Sequence, residues 1–393
     1  MRSARKTIKY RNEGNDKRCL KNKKMWQITK NKDWHLLEKE FDWVRDMRGV
    51  PQDPIFHAEG NVAIHTHMVL DALEGLEEYQ KLPQADQHLL WAAALLHDVE
   101  KRSTTVLESD GSITSKGHAK KGAITSRNIL YRQVPTPFVT REQICGLVRF
   151  HGLPLWAMEK ADAAKSVIEA SLQVDTKLLA LLATADVIGR TCADKDELLY
   201  KIDLFKELCI ENDCWGKNRY FKTPNASFHY FHSDDSYPDF VPFDEGGSHV
   251  IMMSGLPGAG KNTFVYTHYN DWTVVDLDDI RREHKIAPTD KNGNGKVIQI
   301  AKEQARICLR QKKKFVWNAT NITRSMRDQL IDLFTTYKAF VELVYVEVPY
   351  RKLHSQNKNR EAAIPAKVLE KLISKLDVPV RSEAHEVVYK VTE

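Results

Sequence analysis

The sequence predicts two domains, an N-terminal all-α helical bundle and a C-terminal α/β domain with a parallel sheet flanked by helices. Three observations carry this. The chain has 393 residues, enough for two domains of roughly 150–200 residues each. Residues 35–215 read as helix almost throughout, punctuated by Pro51, Pro54, Pro83, Gly111, Gly117, Pro135, Pro137 and Pro154. From Val250 onward, apolar runs alternate with amphipathic stretches, as strands do when helices cross between them.

The elements follow in order. Residues 1–34 form a basic segment. Positions 1–32 hold twelve Lys or Arg against Glu13 and Asp16, a charge that suits a phosphate backbone or simply a solvated tail. In the domain at 35–215, Leu89–Leu96 is apolar all round and predicts a buried helix. Residues 175–186 predict another. Residues 216–249 carry Pro224, Pro238, Pro242, Gly246 and Gly247 with few aliphatics and read as a linker or covering loop. In the domain at 250–393, strands are expected at 250–254, 273–277, 314–318 and 341–348. Helices are expected at 261–268, 296–312, 324–337 and 366–376.

Composition excludes several classes. The formal net charge is +6. No apolar run approaches the roughly 18 residues of a membrane span, and the first residues lack the apolar core of a secretory signal. Cys19, Cys145, Cys192, Cys209, Cys214 and Cys308 form no C-x-x-C pair. They read as reduced thiols of a cytoplasmic protein.

The chemistry begins at Gly255-Leu-Pro-Gly-Ala-Gly-Lys261-Asn-Thr263, directly after the apolar run Val250–Ser254. This is the G-x-x-x-x-G-K phosphate-binding loop, with Asn262 where Ser or Thr is usual. Gly255, Gly258 and Gly260 let backbone N–H groups face a phosphate chain. Lys261 reaches the β- and γ-phosphates, and the following helix N-terminus favours an anion. Past the next strand comes Asp276-Leu-Asp278-Asp279-Ile-Arg281-Arg282. Carboxylates there sit at the strand end beside the loop, where one can take a proton from a hydroxyl. The third strand ends in Asn318-Ala-Thr320-Asn321 and the fourth in Val348-Pro349, followed by a basic segment to Arg360.

These pieces together resemble the kinase domain of phage polynucleotide kinase, over about residues 250–380. The resemblance implies ATP with Mg²⁺ as cofactor and a 5′-hydroxyl polynucleotide as acceptor. It places the loop lysine at Lys261 and the following hydroxyl positions at Asn262 and Thr263. It makes Asp278 the general base, Arg281 the contact to the acceptor phosphate, Thr320-Asn321 part of the nucleotide site and Arg360 the lid arginine. The chain departs from the pattern twice. Asn262 replaces the Mg²⁺-contacting Ser, and Gln356 stands where a second lid arginine is expected, with Arg351 and Lys358 nearby.

Eight of the fifteen histidines fall between His35 and His151. His97-Asp98 ends the buried helix. His65 lies in an amphipathic helical pattern, His118 in Gly117-His-Ala-Lys-Lys-Gly122, and His151 follows Arg149-Phe150. Asp186 interrupts an apolar helix, which is costly unless it is paired or metal-bound. Such N and O donors suit Mn, Fe, Co, Ni or Zn. His35, His67 and His88 read as surface or core residues. The pattern H…HD…D resembles the HD phosphohydrolase superfamily over roughly residues 55–190. Within it, the spacing from His57-Ala-Glu59 through Lys101 and residues 117–123 to 185–187 is similar to the HD domain of bacterial CCA-adding tRNA enzymes. The resemblance implies a metal held by His65, His97, Asp98 and Asp186. It implies a second metal, or the substrate phosphate, at His118 and His151. His57 is either a ligand or a support for one, and Lys101 joins the catalytic group. A metal-bound water with its pKa lowered toward about 7 can attack a phosphoester.

The fusion of the two resembles the bacterial HD-Pnk group of nucleic-acid end-healing enzymes. That implies removal of 2′,3′-cyclic, 2′- or 3′-phosphate by the first domain and 5′-phosphorylation by the second. It also implies RNA or DNA ends as substrate, a separate ligase downstream, and possible self-association. Two alternatives stay open: an HD nucleotidase with a small-molecule kinase, and a non-catalytic, nucleotide-gated RNA-binding regulator. Comparison of a mononucleoside with an oligonucleotide as acceptor separates the first. Tight ATP binding without turnover separates the second.

Overall fold

The computed structural model describes residues 25–244, 246–287, 289–360 and 363–392. Most of the basic segment, residues 1–24 with Cys19, lies outside them. Its last residues are ordered by the fold: Ile28 is buried in the helical core, and the Asp33 side chain caps the helix Trp34–Glu40 by accepting from the Leu36 N–H.

The helical domain packs Val62–Gly75, Gln84–Leu96, His118–Arg132, Phe138–Phe150, Thr176–Ile188 and Lys195–Glu211 around one apolar core. Leu89–Leu96 is buried at every position, as an all-apolar helix requires. Helices Val62–Gly75 and Thr176–Ile188 approach closely at Gly189, where a Cβ would stand 2.7 Å from the Val69 nitrogen. That approach sets His65 and Asp186 side by side. One departure from the all-helical expectation is a short antiparallel hairpin, β1 (Val106–Leu107) with β2 (Ile113–Thr114).

Residues 216–249 also hold more than a loop. Thr223 caps a helix at Pro224–His232 by accepting from Ala226 N–H, with Pro at the first helical position. Tyr230 of this helix is buried in the helical core, while Phe228 stacks on His385 of the C-terminal domain. The segment is therefore a strap touching both domains.

The C-terminal domain is a five-stranded sheet in the order β4-β5-β3-β6-β7. Its strands are β3 (His249–Ser254), β4 (Thr273–Asp276), β5 (Phe315–Asn318), β6 (Phe340–Glu347) and β7 (Glu386–Val391), and every pairing is parallel. Apolar side chains of β3 alternate between the two faces, Val250 and Met252 into one cluster, Ile251 and Met253 into the other. Chain order reverses at β3, so its carboxyl end is the switch point where ligands bind in such sheets. The four expected strands form within a residue or so of their predicted bounds. The fifth, β7, was not expected. It pairs on one side only and its residues are partly exposed, so it lacks the apolar run of a central strand. The long helix begins at Lys291 rather than 296, because Asp290 caps it through Gly293 N–H despite Gly293 and Gly295.

The domains are joined by a buried polar contact. Arg141 is 1% exposed and donates to both carboxylate oxygens of Glu347, at 2.9 and 2.8 Å. Tyr345 donates to the same carboxylate at 2.6 Å. Tyr131 donates to the Val348 carbonyl at 2.7 Å and belongs to an apolar cluster of the sheet. No helix among the described residues is long and apolar enough to cross a membrane.

Candidate active sites

In the helical domain, four elements deliver histidines to one point. His65 lies in the first turn of Val62–Gly75, whose N-cap Asn61 accepts from Ile64 N–H. His97 and Asp98 follow the buried helix Gln84–Leu96. His118 opens its helix after Gly117, which is left-handed at φ 80°. His151 closes Phe138–Phe150. Asp186 comes from the last turn of Thr176–Ile188.

The imidazoles share one orientation. His97, His118 and His151 each engage the backbone carbonyl three residues earlier through Nδ1, at 2.7, 2.7 and 2.9 Å. Their Nε2 atoms therefore turn inward, where His118 Nε2 and His151 Nε2 stand 3.2 Å apart, and a neutral ring held this way offers Nε2 to a cation. Asp98 bridges two groups. Its Oδ2 lies 3.3 Å from His97 Nε2 and 3.7 Å from His65 Nε2. Its Oδ1 lies 3.4 Å from His118 Nε2 and 3.9 Å from His151 Nε2. Asp186 Oδ1 stands 3.0 Å from His65 Nε2.

The expected six residues thus converge, and the donor set fits a metal. Nε2 of His97 and Oδ1 of Asp98 are buried without a hydrogen-bond partner. Orphaned buried polar atoms are costly, and a cation among them removes that cost. Among the described residues three candidate ligand groups emerge, His57-Glu59-His65, His65-His97-Asp98 and Asp98-His118-His151; the last two share Asp98 and form the centre.

Charge states differ within the cluster: burial would lower His97, but Asp98 outweighs it and raises the imidazole, so His97 must shed its proton to ligate. Burial, aided by His118 and His97, pushes His151 down to about 3. Burial and Lys101 do the same to His57, also to about 3. Both therefore stay neutral, the form that binds metals. Burial alone would raise Asp98, but Lys101 and His97 outweigh it and hold it well below the usual carboxylate range. Asp186 is likewise held low against burial, by Arg190 and His65.

His57 turns to Glu59 instead of the centre. Glu59 Oε1 is 2.9 Å from His57 Nδ1 and 2.9 Å from His65 Nδ1, and Oε2 accepts from Thr191 N–H at 2.9 Å. It orients His65 from behind. The sequence placed Glu59 in the motif but gave it no role. Arg190 was missed altogether. It pairs with Asp186 at 2.5 and 3.1 Å, and its place four residues on, one helical turn away, was the available signal. Lys101 Nζ is 2.8 Å from Asp98 and 2.7 Å from Gln52 Oε1. The centre opens into a 510 Å³ cavity that Lys101 and Arg190 also line.

The second site lies at the carboxyl end of β3. Gly255 has φ 145°, and a Cβ there would stand 2.4 Å from the Val346 carbonyl oxygen; only glycine fits. Its N–H donates to Thr320 O at 2.9 Å. Asn321 ties the loop from the same side, donating to Met253 O at 2.8 Å and accepting from Ser254 Oγ at 3.0 Å through its carbonyl. In this structure Thr320 and Asn321 brace the loop. Lys261 opens the helix Lys261–His268. Its Nζ donates to the loop's own carbonyls at Gly255 (2.8 Å) and Leu256 (3.0 Å). Burial, with Arg360 beside it, lowers its pKa to about 8. The backbone nitrogen of Asn357, in the helix Tyr350–Lys358, lies 3.4 Å from a Cβ position at Gly258.

The Asp276–Arg282 segment divides its labour. Asp276 ends β4 and caps the next helix, accepting from Asp278 N–H at 2.7 Å. Asp278 is exposed at the site rim and pairs with Arg281 at 2.6 Å. Arg281 is braced by Asn294 at 2.8 Å. Asn318 Nδ2 donates to Asp276 Oδ2 at 2.6 Å and to Asn262 Oδ1 at 3.0 Å. The substituted position Asn262 is thereby tied through Asn318 to a strand-end carboxylate. Asn318 and Asp276 are legible in the sequence as strand-end residues, but their link to Asn262 is not.

Comparison with known proteins agrees with this division. Residues 62–190 match the HD domain family, and residues 250–379 match an AAA domain family. Among solved structures, the chain is similar to one in the Pnkp1/Rnl/Hen1 RNA repair complex, at 19% identity and a TM-score of 0.32, over 34% of this chain and 45% of that one. It spans less than half of that chain. A candidate kinase from Chloroflexus aurantiacus j-10-fl matches at 14% identity and a TM-score of 0.32, over 37% of this chain and 86% of that one.

Proposed function

We propose that this chain, an HD domain joined to a P-loop kinase-type domain, heals broken nucleic-acid ends. Its first site hydrolyses a 2′,3′-cyclic, 2′- or 3′-phosphate, and its second transfers the ATP γ-phosphate to a 5′-hydroxyl. The observation that carries the reading is the buried His/Asp centre with unpartnered donor atoms, on the same chain as a phosphate-binding loop that keeps Gly255, Gly258, Gly260 and Lys261.

In the first site, His65, His97, Asp98 and Asp186 hold one divalent transition metal, with His118 and His151 at the second cluster. Mn, Co, Ni or Fe suits this set. Such a metal supplies Lewis acidity toward a phosphoryl oxygen and a nucleophile at neutral pH. The protein supplies the rest. Glu59 fixes the His65 ring. Lys101 and Arg190 present positive charge in the cavity, where a phosphate enters. Hydrolysis adds water across the P–O bond, and the departing 2′- or 3′-oxygen takes a proton.

In the second site, Lys261 and Arg360 bracket the phosphates of ATP·Mg²⁺, with Asn262 and Thr263 at the metal. Lys261 must leave its own loop carbonyls to do so. Asp278 accepts the proton of the attacking 5′-hydroxyl, the O–P bond forms, and ADP departs. Before that step, Arg281 turns from Asp278 to the acceptor's phosphate as the strand binds, freeing the carboxylate. The natural strand is RNA or DNA, and a ligase acts next.

The test is direct. A 5′-hydroxyl oligonucleotide with ATP and Mg²⁺ or Mn²⁺ gains a 5′-phosphate, and a mononucleoside is a far poorer acceptor. Absence of any 5′-phosphate on the oligonucleotide with every metal tried overturns the kinase half.

A further inference from the structure

Beside the metal centre lies a second cleft of 380 Å³. It shares His57, Lys101, His118, Trp156 and Arg190 with the phosphate cavity, so the two are parts of one site. Its character is different. Phe56 and Trp156 line it and remain 50% and 42% exposed. Lone exposed aromatics are unremarkable on a protein surface, but these two flank the same opening. Phe56 is fixed by a turn in which Asp53 accepts from the Phe56 and His57 N–H groups. Asp53 Oδ2 also accepts from Ile113 N–H at 3.3 Å, which holds the β1–β2 hairpin as the cleft's wall. Trp156 ends a short helix just past His151, and Lys201 Nζ sits 4.8 Å from its ring centroid.

A third feature is independent of the rings. Gln52 lines the cleft and is only 7% exposed. Its Oε1 accepts from Lys101 at 2.7 Å. Because an ammonium can only donate, the amide oxygen is committed to Lys101. Nε2 is left buried with no hydrogen-bond partner. A buried donor without an acceptor costs free energy and is satisfied when a ligand brings an oxygen or ring nitrogen.

We propose that this cleft is a nucleoside subsite, in which the base of the phosphate-bearing nucleotide stacks on Trp156 and Phe56 while Gln52 Nε2 donates to it. The volume lies within the range of small-molecule sites, roughly 300–1,000 Å³. The inference rests on the phosphoesterase reading of the His/Asp centre. It adds that the site reads a base as well as a phosphate. Stacking accepts any base, since each has a π-face, so discrimination among sequences is weak.

The experiment uses the full-length protein with Mn²⁺. Two 3′-phosphorylated oligonucleotides are compared, one ending in a normal nucleotide and one ending in an abasic nucleotide with the same phosphate. The wild type loses about tenfold or more in kcat/KM on the abasic end, mostly through KM, in line with the worth of one stacked base. Trp156→Ala loses a similar factor on the normal end and nothing further on the abasic end. Trp156→Phe retains most of the preference, and Phe56→Ala repeats the pattern with a smaller factor. Kinase activity equal to wild type in each variant shows that it is folded. Equal use of both ends by the wild type overturns the proposal. So does a Trp156→Ala loss of the same factor on both ends. Hydrolysis of neither end by the wild type, with any transition metal, overturns the phosphoesterase reading and the subsite with it. A nucleoside 3′-monophosphate that competes as well as the oligonucleotide assigns the subsite to free nucleotides; weaker competition assigns it to strand ends.

Discussion

The two candidate sites are built on opposite plans. In the helical domain, two donor atoms at the centre are buried and unpartnered: His97 Nε2 and Asp98 Oδ1 make no hydrogen bond. In the sheet domain, the functional groups satisfy one another. Lys261 is bonded to its own loop carbonyls, and Asp278 to Arg281. The difference teaches where each site stores its readiness. The first is assembled by helix packing, at an electrostatic cost that a bound cation would relieve. The second is self-neutralised at rest, and its substrates must replace those internal contacts.

Breaking one plan should leave the other intact. Asp278→Asn removes the proton acceptor and lowers 5′-kinase turnover by about 10²–10⁴-fold, the usual worth of general-base catalysis. Phosphate removal by the same variant, measured by end-group analysis, is unchanged. A matching loss in both reactions would mean the sites are not separate.

The next largest effect concerns what joins them. Arg141→Ala leaves the buried Glu347 carboxylate without its charge partner, with only the Tyr345 hydroxyl still donating to it. Loss of one member of a buried pair costs about 3–5 kcal/mol. Urea unfolding should show that loss in the cooperative transition. A change under about 1 kcal/mol, the scale of an exposed pair, would show that the contact does not weld the domains.

The strap gives a pH-dependent version of the same comparison. Burial, with His232 and His249 nearby and Asp244 opposing, lowers His385 from 6.5 to about 4. Its folded-state pKa lies below its unfolded value. The stability it contributes is complete above pH 6.5 and is lost as pH falls through about 4, by up to about 3 kcal/mol. The melting temperature of the wild type should therefore drop more steeply than that of His385→Gln between those pH values. Parallel slopes would remove His385 as the cause.

The smallest effect sharpens the metal plan itself. Glu59→Gln leaves His65, His97, Asp98 and Asp186 in place but loosens the His65 ring. Metal affinity, followed by calorimetric titration of the apo protein, should fall about 10–100-fold. An unchanged affinity would reduce Glu59 to a structural bond with Thr191.

The sequence carried the parts of each site that are local. His97-Asp98 adjoins an all-apolar helix, and Lys261 ends a glycine loop after an apolar strand; both are spacings within a few residues. What it did not carry is fixed by packing between distant segments. Arg141 meets Glu347 across 206 positions, and Asn318 meets Asn262 across 56. Glu59 acquires its role only when the helices set His65 beside it. The helix Pro224–His232 was hidden by the prolines and glycines around it, although Thr223-Pro224 is a sound helix start. Strand β7 was hidden because a one-sided edge needs no long apolar run.

The central claim is that one chain carries two independent sites for the two ends of a break. The most direct measurement incubates an RNA bearing a 5′-hydroxyl and a 2′,3′-cyclic phosphate with ATP, Mg²⁺ and Mn²⁺, and weighs both ends by mass spectrometry. The wild type should yield a 5′-phosphate and a phosphate-free 3′ end. His97→Ala should yield only the first change and Asp278→Asn only the second. Loss of both changes in either variant, or an untouched RNA with the wild type, contradicts the account.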